Sequence, residues 1–120
     1  MKKKKNTGKL AEEFAATYLK KNNVRIVSKN YLCRFGEIDL IGIEKNILIF
    51  IEVRYRKNER YLSAVETIDQ TKCNKIITTS KYYLNEYKKY QSYFCRYDVI
   101  TITGDFQQPV IEWIKNAFQA

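Results

Sequence analysis

Gly36-Glu37-Ile38-Asp39-Leu40-Ile41 and Ile47-Leu48-Ile49-Phe50-Ile51-Glu52-Val53-Arg54 are two strand-like runs separated by a turn signal. Both are rich in β-branched residues and apolar on much of both faces. That pattern fits strands buried at the centre of a sheet with helices covering it. A two-residue hairpin at Lys45-Asn46 sets the register, with Asp39 directly opposite Glu52 and Glu37 opposite Arg54. Side chains across an antiparallel pair lie about 5 Å apart at Cβ, and two like charges that close destabilise a sheet unless something positive sits between them. Slippage by one residue would send Glu52 to the opposite face. The register therefore carries any functional reading of these acids.

On the N-terminal side, residues Lys9 to Asn22 read as a helix, with Leu10, Ala11, Phe14, Ala15, Tyr18 and Leu19 at three- and four-residue spacings. Val24 to Val27 reads as a short strand, and Asn30 to Cys33 leads into the next. On the C-terminal side, Arg56 to Arg60 is a charged loop, and a helical region comes after it with a break near Ile68 to Thr71. From Thr71 onward Cys73, Ile76, Ile77, Ser80, Leu84 and Tyr87 make one apolar face. Phe94 to Thr103 alternates as a strand. Pro109 confines the chain beyond it to an edge position, with Val110-Ile111 a last short strand. Trp113, Ile114, Ala117 and Phe118 suggest a closing turn of helix. This order predicts an α/β domain with a central mixed β-sheet flanked by helices. Residues 8–120 read as one domain and residues 1–7 as a disordered basic tail.

The 120 residues carry a net charge of +9, with a sequence pI of about 9.5. Such a balance suggests an anionic partner, nucleic acid first and an anionic membrane surface second, with solubility alone as the alternative. The chain has no histidine. Ser-His-Asp and Cys-His catalysis and His-ligated zinc are thereby excluded. Three cysteines stand far apart with no CxxC pair, which argues against a zinc site and for small buried hydrophobes in a reduced compartment. The lysine run after Met1 is not followed by an apolar stretch, and the longest apolar run, Ile47 to Ile51, is too short to span a bilayer. The expected location is cytoplasmic, with no membrane association.

Glu12 is a third acid. It lies three, four and seven residues from Ala15, Ala16 and Leu19, at the margin of the stripe that meets the sheet. Its alternative role is that of a first-turn acid suited to the helix dipole. Oxygen ligands without histidine or thiolate favour Mg²⁺ or Mn²⁺. A cation of that kind beside Arg54, in basic surroundings, points to phosphodiester hydrolysis. Ion pairs Glu37–Arg54 and Asp39–Arg34 are the structural alternatives. Arg34, Arg56, Lys57, Arg60, Lys72 and Lys75 could line a groove for phosphates, with no base-reading motif among them. Tyr82, Tyr83, Tyr87, Tyr90 and Tyr93 read as the cover of the sheet; stacking on unpaired bases is the alternative.

Gly8-x-x-x-Glu12-x-x-Ala15-x-x-Tyr18-Leu19, Gly36-Glu37-Ile38-Asp39-Leu40-Ile41, Phe50-Ile51-Glu52-Val53-Arg54-Tyr55-Arg56, Cys95-Arg96-Tyr97-Asp98-Val99 and the ending Glu112 to Phe118 closely resemble the YraN-like family of small bacterial proteins. That family resembles archaeal Holliday-junction resolvases and carries the restriction-endonuclease-like fold; its members are predicted nucleases. The resemblance implies that Asp39 and Glu52 match the acidic pair of the D…ExK nuclease motif as metal ligands. Glu12 would match the helix-borne acid of the resolvase-like branch. Arg54 falls where the motif's lysine belongs. Arginine keeps the charge but is bulkier and never a base. The implied activity is a Mg²⁺- or Mn²⁺-dependent DNA endonuclease acting on branched or damaged DNA, with a homodimer suited to a twofold junction. The alternative is a nucleic-acid-binding module that keeps the nuclease fold and cuts weakly or not at all.

Overall fold

A computed structural model describes residues 7–57 and 68–120. In chain order it contains α1 (Thr7–Lys21), β1 (Arg25–Cys33), β2 (Gly36–Glu44), β3 (Ile47–Arg56), α2 (Gln70–Glu86), β4 (Phe94–Thr103) and β5 (Val110–Phe118). The strands form one sheet in the order β1-β2-β3-β4-β5. Neighbours are antiparallel except β3 and β4, which run parallel. A parallel pair needs a crossover connection, and α2 lies on it. The fold is α/β, with a five-stranded mixed sheet between two helices, and is compatible with a restriction-endonuclease-like domain.

The central strand explains the doubly apolar sequence. Ile49 and Ile51 of β3 pack on the α1 side, with Leu40, Ile100 and Ile102. Leu48 and Phe50 point the other way, towards Ile76 and Tyr83 of α2. Helix α1 meets the sheet through Ala11, Ala15, Ala16 and Leu19, and the three alanines let its axis approach closely. Helix α2 starts at Gln70, at the break the sequence suggests. Asp69 caps it, its Oδ1 accepting from the Lys72 N–H at 2.9 Å. Of the α2 tyrosines, Tyr83 is buried, whereas Tyr82 is exposed.

The hairpin has the register its loop length dictates. Leu40 pairs with Ile51 and Glu44 with Ile47, around a Lys45 held at φ 56°. One step further puts Asp39 across from Glu52, and there the ladder ends. Asp39 Oδ2 accepts from the Val53 N–H at 2.8 Å in place of a backbone carbonyl. Strand β3 continues beside β4 as far as Arg56, so β2 and β3 part at the two acids.

Two expectations are corrected. The two short runs before the hairpin form one strand, β1, with a bulge between Ile26 and Ser28 and with Asn30 at φ 54°. Trp113 to Phe118 is not helical but completes the nine-residue edge strand β5. The helix-like spacing comes from a bulge. Tyr97 pairs with Phe118 and Val99 with Ile114, so Lys115, Asn116 and Ala117 face Asp98 alone, and Asn116 adopts φ 56°. The bulge switches faces, placing Ile111 and Trp113 on the α1 side and Phe118 on the α2 side.

Gly36 opens β2 directly beneath α2. Its φ is 154°, and a Cβ there would lie 3.0 Å from Thr79 Oγ1 and 3.6 Å from Lys75 Cβ. Gly36→Ala should therefore destabilise by about 1–3 kcal/mol through strain and a helix pushed outward. A urea midpoint that stays unchanged would refute this close approach.

Candidate functional site

Three carboxyl groups come together where β2 and β3 part. Glu52, on β3, is 5% exposed. Arg54 Nε stands 3.1 Å from Glu52 Oε2, an ion pair without hydrogen-bond alignment, and Lys72 Nζ reaches the same oxygen at 3.8 Å from the first turn of α2. The other oxygen, Oε1, is buried without a hydrogen-bond partner. Burial, and then the nearby Asp39 carboxyl, push the Glu52 carboxyl up to about 8; Lys72 and Arg54 pull the other way without prevailing.

Asp39 lies between Glu52 and Glu12. The Glu12 carboxyl is also raised, by burial first and by Asp39 next, while a hydrogen bond from the Asn30 side chain opposes the shift. Helix α1 is described from Thr7, and Glu12 stands beyond its first turn. The dipole alternative for this residue therefore does not apply. The sequence-level ion-pair alternatives are replaced by other partners: Arg54 turns to Glu52, Asp39 takes the Val53 N–H, and the Arg34 guanidinium lies 4.9 Å over the Phe35 ring. Glu37 is exposed.

Among the described residues, no three ligand-type side chains already form a metal cage. The acids associate as two neighbouring pairs, Glu12 with Asp39 and Asp39 with Glu52. Their chemistry nevertheless fits a hard cation: oxygen donors only, acids held close, and one buried carboxyl oxygen without a hydrogen-bond partner.

Residues 11–102 match the uncharacterised protein family UPF0102. A UPF0102 protein of Psychromonas ingrahamii is 47% identical over 112 residues, covering 93% of this chain and 88% of its own. A UPF0102 protein of Alcanivorax borkumensis is 40% identical over 119 residues, covering 98% and 95%. The chain belongs to the UPF0102 family. This is the YraN-like family that the sequence motifs resemble. The UPF0102 match contains Glu12, Asp39, Glu52, Arg54 and Lys72.

The basic residues of this UPF0102 chain divide into two groups. Arg34, in the β1–β2 turn, lies over Phe35, which lines a groove with Lys75, and Lys72 stands in the first turn of α2. Arg56 and Lys57 stand at the C-terminal end of β3, where the Arg56 carbonyl accepts from the Gly104 N–H. Arg60 lies outside the described residues, as does the basic run before Thr7. A shallow groove of about 260 Å³ is lined by Phe35, Thr71, Asn74, Lys75 and Thr78. A second hollow, of about 160 Å³, lies on the α1 side between Lys9, Glu12, Glu13, Lys29 and Asn30.

Two site features escape sequence reasoning. The Asn30 contact to Glu12 is signalled only by a turn-prone residue inside a strand. The Lys72–Glu52 ion pair depends on where α2 docks, which no local pattern encodes. Among the cysteines, Cys73 is buried beside the site as expected, but Cys95 is exposed, which corrects its reading as a buried hydrophobe. No helix among the described residues is long and apolar enough to cross a membrane.

Proposed function

We propose that this protein is a Mg²⁺- or Mn²⁺-dependent endonuclease that hydrolyses DNA phosphodiester bonds, with branched or damaged DNA as substrate. The observation that carries the reading is the meeting of Asp39 and Glu52 at the parting of the hairpin, with one buried oxygen of Glu52 unpartnered. Asp39 and Glu52 would hold the cation, with Glu12 beside Asp39. When bound, such an ion stabilises negative charge developing on a phosphoryl group. Arg54 uses its planar fork to orient the scissile phosphate. It cannot exchange a proton at working pH. Lys72, 3.8 Å from Glu52, is the second cation at the site and would stabilise negative charge developing on the phosphate. Arg34, Lys75, Arg56, Lys57 and Arg60 hold the strand through phosphate contacts, without reading sequence.

The test incubates supercoiled, single-stranded and four-way-junction DNA with the protein, with and without Mn²⁺, beside Glu52→Ala. The expected result is Mn²⁺-dependent cutting that falls to background in the variant. Cutting that persists in Glu52→Ala would overturn the reading. The second reading, a binding module without catalysis, is favoured by arginine at position 54 with its Nε turned onto Glu52. Binding without cutting by the parent protein would select it.

A further inference from the structure

The β1–β2 turn lifts one aromatic ring against α2 and leaves it in solvent. Phe35 is 39% exposed and Tyr82 43%. Their rings meet edge to face, with centroids 5.7 Å apart and planes at 65°. Neither ring is needed to cover the sheet: the adjacent Tyr83 does that, packed edge-on to Phe50 and Tyr31. Arg34 lies over Phe35, and Lys75 lines the groove together with Phe35.

We propose that the exposed Tyr82 ring, braced edge to face by Phe35, is a platform that stacks one unpaired base of a DNA strand whose backbone runs along α2 towards Glu52. Thr71, Asn74, Lys75, Thr78 and Tyr82 recur every three or four residues, so they form one stripe of α2. The stripe begins beside Lys72, which pairs with Glu52, and ends at the two rings. At 1.5 Å per residue, Lys72 to Tyr82 spans about 15 Å. The stacked base therefore lies a few nucleotides from the phosphate at Glu52. Charge complementarity selects the occupant: a flat Tyr82 ring, with Arg34 over the neighbouring Phe35 and Lys75 along the same stripe, suits a base on a polyanionic backbone. A base inside a duplex is already stacked on its neighbours and presents no free face, so the platform selects unpaired segments. It rests on the nuclease reading for the position of the scissile phosphate, but not for binding.

The experiment measures binding in EDTA, where no cutting is required. Single-stranded DNA carrying 2-aminopurine and a fully paired duplex of the same sequence are titrated with the parent protein, Phe35→Leu, Tyr82→Leu and the control Phe94→Leu. Leucine keeps an apolar side chain and removes the flat π face. Phe94 is exposed, but it pairs with Ile47 at the N-terminal end of β3, whereas Glu52 lies further along the strand. Each platform variant should lose single-strand affinity by about tenfold. Its duplex affinity and melting temperature should match the parent, and Phe94→Leu should bind as the parent does. Single-strand binding unchanged in both platform variants would overturn the proposal, as would equal losses on single strand and duplex. Failure of Mn²⁺-dependent cutting with this binding pattern intact would remove the nuclease reading and leave the platform.

Discussion

Asp98→Ala should lower the melting temperature by roughly 10–20 °C. Asp98 is fully buried, at 0% exposure. Its Oδ1 accepts from Arg96 Nε at 2.9 Å and from the Asn116 N–H at 2.9 Å; its Oδ2 accepts from Arg96 Nη2 at 2.9 Å and Trp113 Nε1 at 2.8 Å. Arg96 also reaches Glu44 at 3.0 Å, which links the hairpin end of β2 to β4. Removing the carboxylate leaves four donors short of a partner, two of them on the largely buried Arg96 guanidinium, a loss of about 3–5 kcal/mol. That is a large part of the 5–15 kcal/mol typical of a domain. Trp113 is the only tryptophan, so its emission reports the loss of this hydrogen bond directly. Asp98→Asn should fall between, since it keeps the shape and one acceptor but turns an amide donor towards other donors. A melting point within about 2 °C of the parent for Asp98→Ala would show that the network does not hold β5 in place.

This network also marks where local pattern stops being informative. Asp98 stands in an alternating strand sequence, and nothing in that alternation says that its partners come from the strand beside it. The bulge that aims the Asn116 N–H at Asp98 is also what spaces Trp113, Ile114, Ala117 and Phe118 like one face of a helix. By contrast, the hairpin register was open to sequence reasoning, because a two-residue loop leaves only one parity and parity decides which side chains share a face. Glu12 was legible for a similar reason: helical spacing puts it at the edge of the alanine stripe, next to the sheet. The end of the ladder at Asp39 was not. It arises from Asp39 accepting the Val53 N–H while β3 stays paired with β4, a competition between three strands. Lys72 depends likewise on Gly36 letting α2 settle against the start of β2.

Glu52→Gln should stabilise the metal-free protein at pH 8 and have little effect near pH 4.5. The folded-state carboxyl is pushed from 4.5 up to about 8. A raised acid favours the fold in its neutral form, so its contribution is fully present below about pH 4.5 and is lost progressively as the pH rises through 8. The groups that face it are Asp39 from β2, Arg54 from β3, and Lys72 and the Cys73 thiol from α2, with Glu12 acting through Asp39. Ionisation in that setting puts a second negative charge beside Asp39 with one oxygen unpartnered, and the two cations offset only part of the cost. Glutamine carries no such penalty, so the difference in unfolding free energy should grow from near zero at pH 4.5 to about 2–5 kcal/mol at pH 8 and then level off. Divalent cation should act in the opposite sense on the parent protein. Mn²⁺ needs the ionised form, so its stabilising effect should be larger at pH 8 than at pH 6, where Glu52 must first release a proton. In Glu52→Gln the Mn²⁺ effect should disappear while the intrinsic stability is higher. Urea titrations of both proteins at four pH values, with and without Mn²⁺, read both trends together. A Glu52→Gln protein less stable than the parent at pH 8 would mean that the Arg54 and Lys72 ion pairs outweigh burial and Asp39, and that the carboxylate is a structural charge.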